Sequence, residues 1–144
     1  MCGITGFIQG GGAVRDLSEL CGRMTSAIAH RGPDAYGVWV DPQYPLALGH
    51  RRLSIIDLSE AGAQPMLSAT GRYVLSFNGE IYNFSRLRKD LSASRYPYKG
   101  HSDTEVILAA VEHLGSREAI SRLEGMFAIA LWDRETGTLT LARD

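Results

Sequence analysis

Few cysteines, hardly any lysine and no long apolar run mark this 144-residue sequence. Each scarcity removes a class of function. The two cysteines, Cys2 and Cys21, are separated by eighteen residues and make neither a disulfide framework nor a metal-ligand cluster. Four histidines, His30, His50, His101 and His113, are scattered without ligand spacing, so metal binding is not expected. No apolar stretch approaches the ~18–20 residues of a membrane-crossing helix. No charged segment followed by an apolar core marks a secretory signal. A formal net charge of -1 leaves no footprint for nucleic acid or an anionic membrane. Thirteen of the fifteen basic residues are arginine, but they are spread along the chain and form no patch. Cytoplasm is the expected compartment.

What is present is ordinary globular composition, 44% hydrophobic and 22% charged, in a length suited to one domain over residues 1–144 with a working core. The most informative residue is Cys2, directly behind Met1. Aminopeptidases remove methionine before small residues, so Cys2 is expected to become the N-terminus and to carry thiol and α-amine together. A free α-amine titrates near about 7.7–8.0 and can act as a base at neutral pH. A nucleophile served by its own terminal amine is an established solution for acyl transfer. Taken alone, Cys2 is more simply a small apolar residue opening a strand.

Ile4–Gln9 reads as that strand, and Gly10–Gly12 breaks it. No Gly-Lys-Ser/Thr follows the glycines, which excludes a phosphate loop. Asp16 with Glu19 resembles a capping box. Leu17, Leu20, Cys21, Met24 and Ile28 then recur at helical spacing to about Ala29, with Cys21 an inert thiol on the buried stripe. Turn chemistry at His30-Arg31-Gly32-Pro33-Asp34 stops the helix. Tyr36–Val40 is a strand, Leu46–His50 and Arg52–Ile56 a pair or one bent strand, and Ser59–Ser68 a loop. Tyr73–Asn78 is a strand running into Asn78-Gly79, a dipeptide that is also a strong hairpin signal. A short helix spans Ser85–Leu91, with Asn83 or Ser85 as its cap, and Tyr96–Gly100 is a loop. Asp103 caps a helix whose stripe is Val106, Ile107, Ala110, Val111 and Leu114, ended by Gly115. Ser116–Leu123 is helical, and strands Met126–Trp132 and Thr138–Ala142 flank a turn. Grouped strands with helices between them predict an α+β layered fold and not a doubly wound sheet. An apolar strand so near Asp144 would leave an association-prone edge, so the chain is expected to end inside a larger protein.

Five motifs in order, Met1-Cys2-Gly3-Ile4, His30-Arg31-Gly32-Pro33-Asp34, Arg52-Leu53-Ser54-Ile55-Ile56, Asn78-Gly79-Glu80-Ile81-Tyr82-Asn83 and Ser102-Asp103-Thr104-Glu105-Val106, resemble the N-terminal glutaminase domain of glutamine-hydrolysing asparagine synthetase. That is a class II glutamine amidotransferase of the N-terminal-nucleophile type. The resemblance implies a four-layer αββα sandwich of antiparallel sheets, incomplete at its C-terminal end. It implies Cys2 as the nucleophile, with the Asn78 side-chain amide and the Gly79 N–H as oxyanion donors. The glutamine pocket would be completed by Arg52 for the substrate carboxylate, Glu80 and Asp103 for its ammonium, and Leu53, Ser54, Ile55 and Ile56 along its wall. Arg31 and Gly32-Pro33-Asp34 would shape the wall near Cys2.

The implied partners are L-glutamine and a C-terminal synthetase domain of the same polypeptide, with a homodimer one option for assembly. No cofactor is expected in this domain; ATP and magnesium would belong to the synthetase domain alone. Three alternatives stay open. A related amidotransferase could amidate a different acceptor, an N-terminal-nucleophile hydrolase could cleave another amide, or the chain could be an inactive binding module. Arg52 with Asp103 argues against the second, and Cys2, Asn78 and Gly79 against the third.

Overall fold

The computed structural model describes residues 2–11, 16–53 and 62–144. Strand β1 (Gly3–Ile8) is followed by helix α1 (Leu17–Ala27), strand β2 (Ala35–Val40) and strand β3 (Leu46–Arg52). After β4 (Met66–Leu67) and β5 (Tyr73–Ile81) come three helices, α2 (Phe84–Asp90), α3 (Asp103–Leu114) and α4 (Ser116–Ser121), and then β6 (Gly125–Asp133) and β7 (Thr138–Arg143). Among the described residues these strands form two antiparallel sheets, ordered β1-β3-β2 and β4-β5-β6-β7.

The sheets stack because alternation gives each two usable faces. On β3, Leu46 and Leu48 join Val74 of β5 and Ala130 and Trp132 of β6 in a core between the sheets. The intervening Gly49 and Arg51 face α1: a Cβ at Gly49 would collide with Thr25 Oγ1, and the Arg51 guanidinium donates to the Thr25 carbonyl at 3.0 Å. On β5 the other set, Tyr73, Leu75, Phe77 and Ile81, packs with α2, α3 and α4 in a second core. Fully burying a leucine- or isoleucine-sized side chain contributes about 1.5–3 kcal/mol, and Val106 through Val111 of α3 are all buried. The result is four layers in the order α1, first sheet, second sheet, and α2 to α4, as expected. No described helix is long and apolar enough to cross a membrane.

Several local expectations need correction. The Asn78-Gly79 pair makes no hairpin: β5 runs through it, with Asn78 opposite Ala128 and Gly79 opposite Phe127. Ser102, not Asp103, caps α3, its side chain accepting from the Glu105 N–H. Asn83 occupies the cap position of α2, its carbonyl accepting from the Leu87 N–H at 3.0 Å, but its side chain makes no bond to that helix. Its amide instead bridges the Arg122 carbonyl and the Glu124 N–H at 2.8 and 3.1 Å. The loop expected over 59–68 contains β4, which exists only by pairing with Val74 and Leu75. Of the strand expected over Arg52–Ile56, Arg52 is the last residue of β3 and Leu53 lies just beyond it; Ser54, Ile55 and Ile56 lie outside the described residues.

Candidate functional site at one end of the sandwich

Strand register and parity bring the expected residues towards one end of the inter-sheet layer. In the β1–β3 ladder Gly3 lies opposite Arg51 and Ile4 opposite His50, so Cys2 adjoins Arg52 one step beyond the pairing. Ile4 belongs to the core between the sheets, and alternation turns Cys2 to that same side. Arg52 shares parity with Leu46 and Leu48, and Asn78 with Val74, so both also turn towards this layer. The Cys2 thiol is half-buried, with the Leu53 N–H 3.5 Å from its sulfur. The Arg31 guanidinium donates to the Cys2 carbonyl at 3.4 Å, and Asp34 N–H to the Arg52 carbonyl at 3.1 Å. A Cβ on Gly32 would strike the Arg51–Arg52 backbone. The His30–Asp34 turn is therefore clamped onto the strand ends that carry Cys2 and Arg52. The Arg52 guanidinium lies against Gly62, where any side chain would displace it.

The second part of the site is the edge of β5 beyond the two residues of β4. Phe77 donates its N–H to Gln64 Oε1 at 2.6 Å, and Ile81 donates to the Asp103 carboxylate at 3.1 Å. Tyr82, of the other parity, donates to Glu124 on the β6 side at 2.8 Å. Strand alternation therefore directs the Gly79 N–H to the same edge as those of Phe77 and Ile81. Gly79 has φ +154°, and a Cβ there would overlap the Met126 carbonyl and approach Phe127 Cα to 2.7 Å. Only glycine fits this position.

Two groups, buried His50 and half-buried Asp103, set the electrostatics. His50, 1% exposed, spans the sheets with Nε2 3.0 Å from the Phe77 carbonyl. Burial pushes its pKa down to about 4, and the Arg52 charge acts in the same direction, so the ring is neutral at physiological pH. Burial raises the Asp103 carboxyl, opposed by the Ile81 and Thr104 amides and reinforced by the Glu80 charge. Glu80 itself is exposed. Cys21 is wholly buried and its thiol is pushed up by burial, a core residue as expected.

The structure thus places Cys2, Arg52 and Leu53 on one side of this end, and Asn78, Gly79, Glu80 and Asp103 along β5 and the start of α3. Arg51, beside Arg52, is half-buried, bonded to α1 and stacked on Tyr36 at 5.1 Å. Sequence reasoning overlooked Gln64 and His50, whose side chains hold β5 beside Asn78. His50 carried one signal: it continues the buried alternation of Leu46 and Leu48 with a polar group. Among the described residues no three His, Cys, Asp or Glu side chains converge as metal ligands.

Comparison with known proteins agrees with this architecture. A family model described as a glutamine amidotransferase domain matches residues 1–144. Glutamine-hydrolyzing asparagine synthetase 1 of Bacillus subtilis is 42% identical over the whole chain, which covers 22% of that protein. Asparagine synthetase B of Escherichia coli is 39% identical, with the whole chain covering 25% of it. Amidase chry2 of Gibberella zeae is 40% identical, with 22% of its length covered. The chain thus spans about a quarter of the length of these relatives. Among solved structures, glutamine phosphoribosylpyrophosphate amidotransferase of B. subtilis superposes with a TM-score of 0.58 at 23% identity, over 70% of this chain and 23% of that one. That likeness concerns the fold. The family match and these relatives make the chain a member of the glutamine amidotransferase domain family.

Proposed function

We propose that this domain hydrolyses the side-chain amide of glutamine through a thioester on Cys2. The observation that carries the reading is that Cys2 and Arg52 of one sheet and Asn78 of the other all turn into the layer between the sheets at one end, with the Gly79 N–H directed along the adjoining edge of β5, which no described strand pairs beyond β4. After removal of Met1, the α-amine of Cys2 takes the thiol proton and the sulfur attacks the amide carbon. The tetrahedral oxyanion is met by the Asn78 amide and the Gly79 N–H, each such donor contributing about 2.7–4 kcal/mol in comparable sites. Collapse breaks the C–N bond, and the amine's proton leaves with ammonia. Water, deprotonated by the same amine, then cleaves the thioester and releases glutamate.

Substrate recognition follows from the charges of a free amino acid. Arg52 pairs with its carboxylate, a geometry suited to the guanidinium fork. Asp103, with Glu80 nearby, takes the ammonium, and the half-buried position of Asp103 strengthens that pairing. Leu53 walls the pocket beside Cys2, and Ser54, Ile55 and Ile56 are assigned to glutamine binding on their motif alone.

The ammonia serves a synthetase domain that makes asparagine, as the names of the B. subtilis and E. coli relatives suggest. ATP and magnesium belong to that domain's chemistry. The similarity to an amidase of G. zeae favours a second reading, in which the same glutaminase feeds another acceptor. Intact mass before and after treatment with a diazoketone analogue of glutamine tests the proposal. Loss of the methionine mass followed by one adduct on Cys2, with ammonia release from glutamine, is expected. A processed chain that neither accepts the analogue nor releases ammonia would overturn it.

A further inference from the structure

Two side chains that the proposed reaction never touches hold the strand that carries its oxyanion donors. Phe77, immediately before Asn78, has both backbone polar groups taken by side chains. Its N–H goes to Gln64 Oε1 at 2.6 Å and its carbonyl to His50 Nε2 at 3.0 Å. A carbonyl only accepts, so His50 must carry its proton on Nε2. Gln64 is oriented by the same logic: with Oε1 facing a donor, its amide nitrogen points to Thr104 Oγ1 at 3.5 Å, beside Asp103. His50 reaches from the central strand of the other sheet, two residues from Arg52.

The geometry calls for such holders. The Phe77 carbonyl and the Asn78 N–H share one rigid peptide plane, so fixing the carbonyl fixes the plane from which Asn78 projects. Gly79 follows at once, with no side chain of its own to restrain it and φ +154°. Asp103 pins the chain downstream at Ile81, and Gln64 with His50 pins it upstream. These fixtures draw on β3, on the segment before β4 and on α3, so three separate elements converge on a five-residue stretch.

We propose that His50 and Gln64 are positioning residues for glutamine hydrolysis: as a pair they set the Phe77–Asn78 peptide and thereby aim the Asn78 amide and the Gly79 N–H at the developing oxyanion. The proposal rests on the glutaminase reading above. A purely structural role, knitting the layers together, would affect stability without singling out the transition state.

The test compares His50→Leu and Gln64→Met, which remove the donor and the acceptor, with His50→Gln and Gln64→Glu, which retain them. The readouts are kcat and KM for glutamine, and inhibition by an aldehyde analogue of glutamine whose hemithioacetal with Cys2 mimics the oxyanion. Alkylation of Cys2 by iodoacetamide reports thiol access. The first two variants should lose roughly 10- to 100-fold in kcat, the range expected from misaligned donors, with KM changed no more than about twofold. Aldehyde affinity should fall by a similar factor, iodoacetamide reactivity should hold, and the conservative variants should recover most of the loss. If His50→Leu does not fold, Gln64→Met against Gln64→Glu decides alone. Unchanged kcat, a change confined to KM, or aldehyde affinity that stays at the wild-type value would overturn the proposal while leaving the glutaminase reading intact. A wild-type protein that neither hydrolyses glutamine nor binds the aldehyde would overturn both.

Discussion

The Asp103 carboxylate and the Ile81 amide, 22 residues apart in sequence, share a 3.1 Å hydrogen bond that ties the first turn of α3 to the end of β5. Asp103 is thereby asked to hold a strand and, in the proposed reaction, to hold a substrate ammonium. Asp103→Asn separates the two, since it keeps an oxygen for Ile81 and loses the charge. Its KM for glutamine should rise about 10- to 100-fold, in keeping with ~1.5–3 kcal/mol for a hydrogen bond to a charged group. Its urea midpoint should stay close to wild type. Asp103→Leu should also lose about 1–3 kcal/mol of stability, because the Ile81 N–H is left unsatisfied. Wild-type KM in Asp103→Asn would remove Asp103 from the pocket.

Arg52 gives a second separation. Its guanidinium has a fork that lysine cannot reproduce, so Arg52→Lys should recover only part of what Arg52→Leu loses. We expect KM for glutamine to rise about 100-fold in Arg52→Leu and about 10-fold in Arg52→Lys, the scale of a lost bidentate pair. Steady-state kinetics with glutamine decides, and equal KM values for all three proteins would exclude a carboxylate contact.

Gly79→Ala should be costly to the fold itself. The added Cβ meets the Met126 carbonyl and the Phe127 backbone in a conformation that disfavours side chains. Backbone strain and overlap together predict roughly 2–4 kcal/mol of destabilisation. Denaturant unfolding at pH 7 measures it, and a loss below about 0.5 kcal/mol, the size of an ordinary surface change, would mean that β6 gives way easily.

Acid should loosen the fold through His50. Folded, it accepts a proton only near pH 4, against 6.5 for the free side chain. Between those values the unfolded chain binds more protons, so stability falls as pH is lowered from 6.5 towards 4, by at most about 1.4 kcal/mol per pH unit. Asp103 acts with the opposite sign, since its raised carboxyl favours the folded state as it protonates. Asp41, Glu112 and Asp133 are held low and add their losses only below their ordinary 3.8–4.5 range. Urea midpoints at pH 7 and pH 5 should therefore diverge more for the wild type than for His50→Gln. Parallel behaviour of the two proteins would contradict the assignment.

Much of this architecture was legible where one face dominates a segment. The stripe from Val106 to Leu114 and the stop at Gly115 predict α3 unaided, because local periodicity and burial agree. The cap was harder: Ser102 and Asp103 are both capping residues, and only the distant Ile81 amide explains why Asp103 is drawn elsewhere. At Asn78-Gly79 a local turn preference yields to pairing with Ala128 and Phe127, which no nearby residue announces. Cys2, Arg52, Asn78, Gly79 and Asp103, the residues of the proposed site, stood out through their motifs. Gln64 was not, because its role comes from the strand edge that β4 leaves uncovered, a property of the assembled sheet.

The pairing of β5 with β6 has a consequence for how the site comes into being. Asn78 lies beside Ala128, fifty residues later, and the intervening chain holds all of α2, α3 and α4. Closing so long a loop costs chain entropy before the ladder returns any of it, and topologies of this kind fold slowly. During synthesis, a ribosome that has passed Gly79 has made the proposed oxyanion segment without the strand that straightens it. The proposed donors can be aligned only after residues 125–133 emerge, so competence for the proposed reaction arrives as a late event in the life of the nascent chain.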